Sequence, residues 1–244
     1  MSAGNGFLAA PFADWFSQAR LLLDLIAIAW IVSIINFGFL GGALRYWGMR
    51  PRRLTGLLRI PLSPFLHDDW QHLANNSLYF LIFGGMIVLR DPADLPIVAI
   101  VTNLLTGSII WIFGAPARYI GASDIVFGCF GFLVAIAVLI KDPISAILLT
   151  FFAFTFFFGG SGKFIQHNTD GNLLESSWGT LWNNIWFAGN QVWGMLPNPA
   201  KPNVSWEGHT IGFLSGILIA YYREDFKDWL EQAGRLIQAI KPYF

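Results

Sequence analysis

Residues 121–140 read GASDIVFGCFGFLVAIAVLI. The stretch opens with small and polar residues and then continues without a charged side chain from residue 125 to residue 140. A membrane-spanning helix needs about 20 mostly apolar residues, so the apolar part alone is short of a full span. If this helix crosses a membrane, its polar start lies below the membrane surface, where polar side chains are costly and usually line a functional site.

Five further runs without charge surround this stretch, at residues 25–44, 73–89, 95–117, 143–162 and 210–222. Together the six runs predict an all-α integral membrane protein with six transmembrane helices. The last run is also short, and it follows the polar sequence SWEGH at residues 205–209. We therefore expect one membrane domain over residues 21–222, preceded by an N-terminal tail over residues 1–20, with two helices whose polar starts are recessed.

The composition supports a membrane protein. Of the 244 residues, 55% are hydrophobic and only 12% are charged, whereas a soluble domain usually carries about 25% charge. The formal net charge is zero, so nothing indicates a nucleic-acid partner. The single cysteine, Cys129, excludes an internal disulfide and a multi-cysteine metal site. The lipid bilayer is the expected environment.

The connecting segments differ in character. Residues 41–66 interleave five arginines with leucines, which is typical of a segment that lies in the membrane interface. Residues 161–205 form a long connector rich in Gly, Asn and Trp, which we expect to rest on the membrane surface. Residues 223–244 predict an amphipathic C-terminal tail with charges of alternating sign. Basic residues are balanced between the two sides, so charge does not predict the orientation.

Ser123 and His209 are the first candidates for chemistry. A serine hydroxyl is a poor nucleophile unless a base, most often a histidine, lies within hydrogen-bonding reach. Ser123 stands at a predicted helix start, where free N–H groups and the helix dipole would stabilise a developing oxyanion. His209 opens the sixth run, which carries Gly212 and Gly216. Glycines at this spacing allow two helices to pack closely, and such packing would bring His209 to Ser123.

A polar cluster opens the second run. His72 and Asn76 are four residues apart and share one face of a helix, so both could donate hydrogen bonds to an oxyanion. His67 and His72 are five apart and therefore poorly placed as metal ligands on one helix. We expect no metal and no cofactor. Asp124 lacks the second aspartate at membrane depth that aspartyl proteolysis requires.

Each of these features also has a structural interpretation. A serine at a helix start is most often an N-cap, a histidine in a membrane helix more often packs than catalyses, and paired glycines need only mark a packing seam. The order of three motifs is more specific. It comprises residues 51–76 (PRRLTGLLRIPLSPFLHDDWQHLANN), residues 121–123 (GAS) and residues 205–212 (SWEGHTIG). In this order the chain resembles the rhomboid intramembrane serine proteases, from about residue 30 to residue 222.

The resemblance implies a six-helix bundle with a Ser–His dyad that needs no aspartate. It implies Ser123 as the nucleophile, His209 as the general base, and His72 with Asn76 on the oxyanion side. His67 matches the first histidine of the family's second-helix motif, and Gly121 belongs to the motif of the serine; both would support the site. The resemblance further implies transmembrane proteins as substrates, which enter laterally. A bacterial inner membrane is the location we expect.

The sequence departs from the family pattern at two places. Asp124 stands where the family usually has glycine, and a carboxylate there would be protonated, paired, hydrated or engaged in capping the helix. The connector before His209 is longer than usual and could form a lid. A catalytically inactive rhomboid-like protein that binds membrane helices is therefore the alternative function. A transporter or channel comes last, because the long runs contain few polar residues.

Overall fold

The computed structural model describes residues 16–139, 141–143, 145–147, 150 and 205–240. The described residues form six long helices, which we label α1 to α6 in chain order. Their bounds are Arg20–Gly38, Trp70–Arg90, Asp94–Phe113, Ser123–Leu139, Trp206–Tyr221 and Arg223–Ile240. Short helical turns at Ala43–Trp47, Leu54–Leu57 and Ile60–Phe65 connect α1 to α2. Most of the predicted fifth span, at 143–162, lies outside the described residues, as does nearly all of the connector at 161–205.

Three of these helices, α1, α2 and α3, are long and apolar enough to cross a membrane. Helices α4 and α5 coincide with the fourth and sixth predicted spans but have only 17 and 16 residues. The protein is thus a helical integral membrane protein, as the sequence predicts. Helix α1 begins before residue 25, where its predicted span starts, and ends before residue 44, where that span ends. The chain turns after it because Gly41 and Gly42 adopt positive φ angles of 55° and 79°.

Side chains at the helix starts explain where two of the helices begin. The Asp69 carboxylate accepts a hydrogen bond from the backbone N–H of His72 at 2.8 Å and caps α2. The Ser205 hydroxyl accepts one from the N–H of Gly208 at 3.2 Å and caps α5. Such caps satisfy N–H groups that have no partner inside the helix. Both caps lie beside the residues that the sequence analysis singled out.

Helix α4 lies at the centre of the bundle, where it packs against α2, α3 and α5. The side chains of Phe132, Leu133 and Ile136 are fully buried in the core. Among the helices that the structure describes, α4 and α5 share the most extensive contact, because glycines bring the two backbones together. A Cβ atom on Gly216 would overlap the carbonyl oxygen of Gly128, and one on Gly131 would overlap the backbone of α5. The glycine seam predicted from the sequence is therefore present.

Charged side chains link the helices at the end of the bundle where α2 ends and α3 begins. The buried carboxylate of Asp94 pairs with Arg90 of α2 and with Lys227 of α6, the latter at 3.0 Å. Asp91 accepts a hydrogen bond from Lys227 at 2.6 Å. Burial alone would raise the pKa of Asp91. The bond from Lys227, the backbone N–H of Ala93 and the charges of Lys227 and Arg223 together outweigh burial, so this pKa lies below its usual value. The cluster connects the α2–α3 turn to the C-terminal helix.

We predict that Gly216→Ala destabilises the fold by about 1–3 kcal/mol or prevents folding, because the added methyl group has no space between two backbones. The matched control is Gly234→Ala in α6, where a Cβ atom would meet nothing within 4 Å. The control should be neutral or stabilising by up to about 1 kcal/mol, since alanine favours a helix over glycine. Thermal unfolding in detergent measures both variants. Equal stability of Gly216→Ala and wild type would contradict this packing.

We predict that Asp94→Asn lowers the unfolding free energy by about 3–5 kcal/mol, because it removes a buried carboxylate that pairs with both Arg90 and Lys227. Asp24→Asn removes an exposed carboxylate whose pair with Arg20 is 3.8 Å long. That control should change the stability by less than about 1 kcal/mol. Chemical denaturation in detergent compares the unfolding free energies of the two variants. Equal losses would show that the buried ion pairs stabilise the fold no more than the exposed pair does.

Candidate active site

The start of α2 holds three of the predicted site residues in one cluster. The Asn76 side-chain amide donates to Nε2 of His67 across 3.1 Å. The rings of His67 and His72 meet edge to face, with centroids 5.0 Å apart. His67 is 1% exposed and Asn76 is 8% exposed. The structure therefore brings His67, His72 and Asn76 together, and the bond to His67 fixes the orientation of the Asn76 amide.

Gly121 connects this cluster to the start of α4. Its φ angle is +100°, which glycine adopts without strain. A Cβ atom there would lie 2.7 Å from the His72 ring and 3.2 Å from the Asn76 amide nitrogen. The N–H of Gly121 donates to the carbonyl oxygen of Ser63 at 2.9 Å, which ties this turn to the interfacial segment. Only glycine permits the chain to pass this close to His72 and then enter α4.

Ser123 is the first residue of α4 and is half-buried. It follows Gly121 by two residues, so it stands next to the place where His72 and Asn76 converge. The first N–H groups of a helix have no partners inside the helix, and the helix dipole is positive there. A negative charge that develops beside Ser123 would therefore meet favourable partial charges from the backbone.

His209 reaches the same region from α5. Its imidazole stacks on the Phe127 ring, with centroids 4.3 Å apart and an interplanar angle of 22°. Phe127 lies four residues after Ser123 and so shares its helix face. One turn further along α5, Gly212 packs directly against the backbone of Asp124. Ser123 and His209 thus lie at the same end of the α4–α5 seam and on facing sides of it.

The Asp124 side chain interacts with the start of its own helix. Its Oδ1 atom accepts a hydrogen bond from the N–H of Ile125 at 2.9 Å. Through this bond the Asp124 carboxylate caps the start of α4. The charge is favourable to the helix dipole, but it also occupies an N–H group close to Ser123.

The electrostatic state of His67 follows from its surroundings. Burial lowers the pKa of His67 to about 3, and the neighbouring His72 ring acts in the same direction. The backbone of Phe65 and the carboxylate of Asp69 oppose this shift without cancelling it. His67 is therefore neutral at physiological pH, so its Nε2 atom can accept the hydrogen bond from Asn76.

A cavity of about 440 Å³ lies behind the cluster, between α1, α2 and α3. Most of its wall is apolar, and His67, Asn76 and Ala122 contribute to it on the side of the site. Ser123 and His209 are not part of its lining. Within the described part of the chain, no three His, Cys, Asp or Glu side chains are grouped as metal ligands would be.

Sequence reasoning did not single out Phe127 or Ser63. The helical spacing of four residues from Ser123 could have indicated Phe127 as a neighbour of the site. No pattern could have indicated Ser63, because its backbone carbonyl oxygen is the group that contacts Gly121.

Fold and site together define a class: a helical membrane protein with a serine and a histidine near the starts of two tightly packed helices. The comparison with protein families is more specific. Residues 55–170 match the Rhomboid domain, which confirms the resemblance over this part of the chain. The match includes Ser123 and the α2 cluster, whereas His209 lies beyond it.

Curated relatives extend the similarity along the chain. An uncharacterized protein of Mycobacterium tuberculosis is 24% identical over 213 residues, which cover 85% of this chain and 75% of the relative. An uncharacterized protein of Mycobacterium leprae is 24% identical over 215 residues, covering 85% of this chain and 72% of the relative.

We predict that His67 makes the fold less stable in acid. The histidine titrates near 6.5 when unfolded and near 3 when folded, so between these values the unfolded chain binds more protons and stability falls as the pH falls. The loss is at most about 1.4 kcal/mol per pH unit. His67→Gln keeps an acceptor for Asn76 but does not titrate. Melting temperatures between pH 8 and pH 5 should therefore fall less in the variant, and an identical pH dependence would contradict the assignment.

Proposed function

We propose that this protein is an intramembrane serine endopeptidase that uses Ser123 and His209 as its catalytic dyad. The observation that carries the proposal is the α4–α5 seam. It brings the His209 ring onto Phe127, one helical turn from Ser123 and on the same face. The stacking and the glycine contacts fix the position of this histidine against the helix.

The proposed reaction has two stages. Ser123 Oγ attacks the carbonyl carbon of the scissile peptide while its proton passes to His209. The tetrahedral intermediate then collapses, the C–N bond breaks, and His209 returns the proton to the departing amine. In the second stage a water molecule loses a proton to His209 and attacks the acyl-enzyme. Ser123 regains its proton when the C–O bond to the serine breaks.

The oxyanion site would be formed by His72, Asn76 and the start of α4. The amide of Asn76 and the ring of His72 both lie against Gly121, two residues before the nucleophile. Neutral His67 would hold the Asn76 amide in place through the bond to Nε2. Pre-oriented donors of this kind typically contribute about 10²–10³-fold to the rate.

The proposed substrates are transmembrane helices of other proteins. With the predicted fifth span at 143–162, the chain would form a six-span bundle in which the short helices α4 and α5 begin below the membrane surface. Water must reach these starts, so a substrate helix would enter from the side and unfold locally at Ser123. Because its relatives are mycobacterial, we propose a bacterial inner membrane as the location.

A second function is favoured by one observation. The Asp124 carboxylate places a negative charge within the first turn of α4 and accepts the bond from the N–H of Ile125. An oxyanion beside Ser123 would be repelled by this charge. The alternative is therefore an inactive rhomboid-like protein that binds membrane helices without cutting them.

We predict that purified protein cleaves a fluorescent transmembrane reporter in detergent and that Ser123→Ala and His209→Ala each lower the rate by at least about 10⁴-fold. The matched control is Ser215→Ala on α5. Ser215 is buried and bonds to the backbone of its own helix, so its removal should leave the rate unchanged. Cleavage that survives in folded Ser123→Ala would contradict the dyad.

We predict that Asp124→Gly cleaves the same reporter faster than wild type, because it removes the charge beside the developing oxyanion. A tenfold increase corresponds to about 1.4 kcal/mol of repulsion in the transition state. If Asp124→Gly cleaves the reporter and the wild type does not, the result would support the inactive alternative for the natural protein. A slower Asp124→Gly variant of unchanged stability would show that the carboxylate assists the reaction.

A further inference from the structure

The segments between α1 and α2 and between α3 and α4 together carry a positive surface that the proposed proteolysis does not use. Arg45, Arg59 and Arg118 gather around two neighbouring aromatic rings. The guanidinium carbons of Arg118 and Arg45 lie 4.4 Å and 5.2 Å from the centroid of the Tyr46 ring. That of Arg59 lies 5.2 Å from the centroid of the Trp47 ring. We call these three arginines with their two rings the arginine face.

The three arginines of the arginine face have no acidic residue in their own segments and no ion pair within the described part of the chain. No acidic residue occurs at 39–67 or at 114–122, the two segments that form this surface. Among the residues that the structure describes, none of the three arginines forms an ion pair with a carboxylate. Three like charges gathered on two rings repel one another, and cation–π contacts of about 0.5–1 kcal/mol at exposed sites offset this only partly. An anion bound between them would remove the repulsion.

The neighbouring side chains indicate the depth of this surface. Leu54 and Leu58 are each 78% exposed, and Trp47 is 56% exposed. Large apolar side chains at such exposure belong in the hydrocarbon edge of a bilayer, with tryptophan at the interface. Arginines beside them then stand at the level of the lipid phosphates, and a guanidinium group binds phosphate in a planar, two-pronged arrangement.

We propose that the arginine face binds the headgroups of anionic phospholipids in the leaflet on the side of the predicted site. Tyr46 and Trp47 hold the guanidinium groups in place, and the lipid phosphate occupies the space between them. The same surface is tied to the site, because Met49 pairs with Tyr119 through two backbone hydrogen bonds of 3.0 Å. Bound lipid would thus stabilise the segment that supports Gly121.

The test titrates the full chain, in a neutral detergent, with dioleoyl phosphatidylglycerol or dioleoyl phosphatidylcholine and counts bound lipids by native mass spectrometry. Wild type should bind the anionic lipid at least about tenfold more tightly. Arg118→Gln should lower this preference roughly fivefold, as expected for one arginine at an anionic surface. The triple variant with Arg45→Gln, Arg59→Gln and Arg118→Gln should lose it.

The matched control is Arg20→Gln at the opposite end of α1, where the arginine side chain is 84% exposed. It removes the same charge and should leave the preference intact. Equal binding of the two lipids by wild type, or an equal loss in the control, would overturn the proposal. So would tight binding of a polyglutamate peptide without discrimination between the lipids, which would indicate an acidic protein segment as the partner. If the triple variant unfolds, the lipid preference of Arg118→Gln alone tests the proposal. This variant should stay folded, because no described hydrogen bond involves the Arg118 side chain.

Discussion

The contact between α4 and α5 is the constraint on which the site depends. Gly131, Gly212 and Gly216 let the two backbones touch, so neither helix can rotate or slide without a steric clash. This register fixes the height of His209 relative to Ser123. In a membrane, helix association depends on packing more than on the hydrophobic effect, so a seam of small residues is both the main support of the bundle and the device that positions the chemistry.

Two further connections hold the seam in place from opposite ends of the bundle. On one side, Gly121 lies against His72 and bonds to the backbone of Ser63, so the start of α4 is held by α2 and by the interfacial segment. On the other side, Asp94 and Lys227 join the α2–α3 turn to the C-terminal helix. The desolvation cost of the buried charges there is offset because each cation faces a carboxylate. The site therefore rests on packed helices rather than on loops.

Much of this could be predicted from the sequence. The charge-free runs predicted α2 to α5 because a bilayer demands long apolar helices, and the glycine spacing predicted the seam. The start of α1 was misplaced because Asp24 interrupts the apolar run but not the helix. The stacking of His209 on Phe127 and the pairing of Asp94 with Lys227 were not predicted, since contacts between distant segments leave no periodic signal. The roles of Ser123 and Asp124 depend on chemistry that spacing alone does not reveal.

The most direct test of the central claim is covalent labelling with a fluorophosphonate, which requires an activated serine but no knowledge of the substrate. The account predicts that wild-type protein forms one adduct, which peptide mass spectrometry locates on Ser123, and that folded His209→Ala forms none. Labelling that is equally fast without His209, or that occurs only at other serines, would contradict a dyad built across the α4–α5 seam.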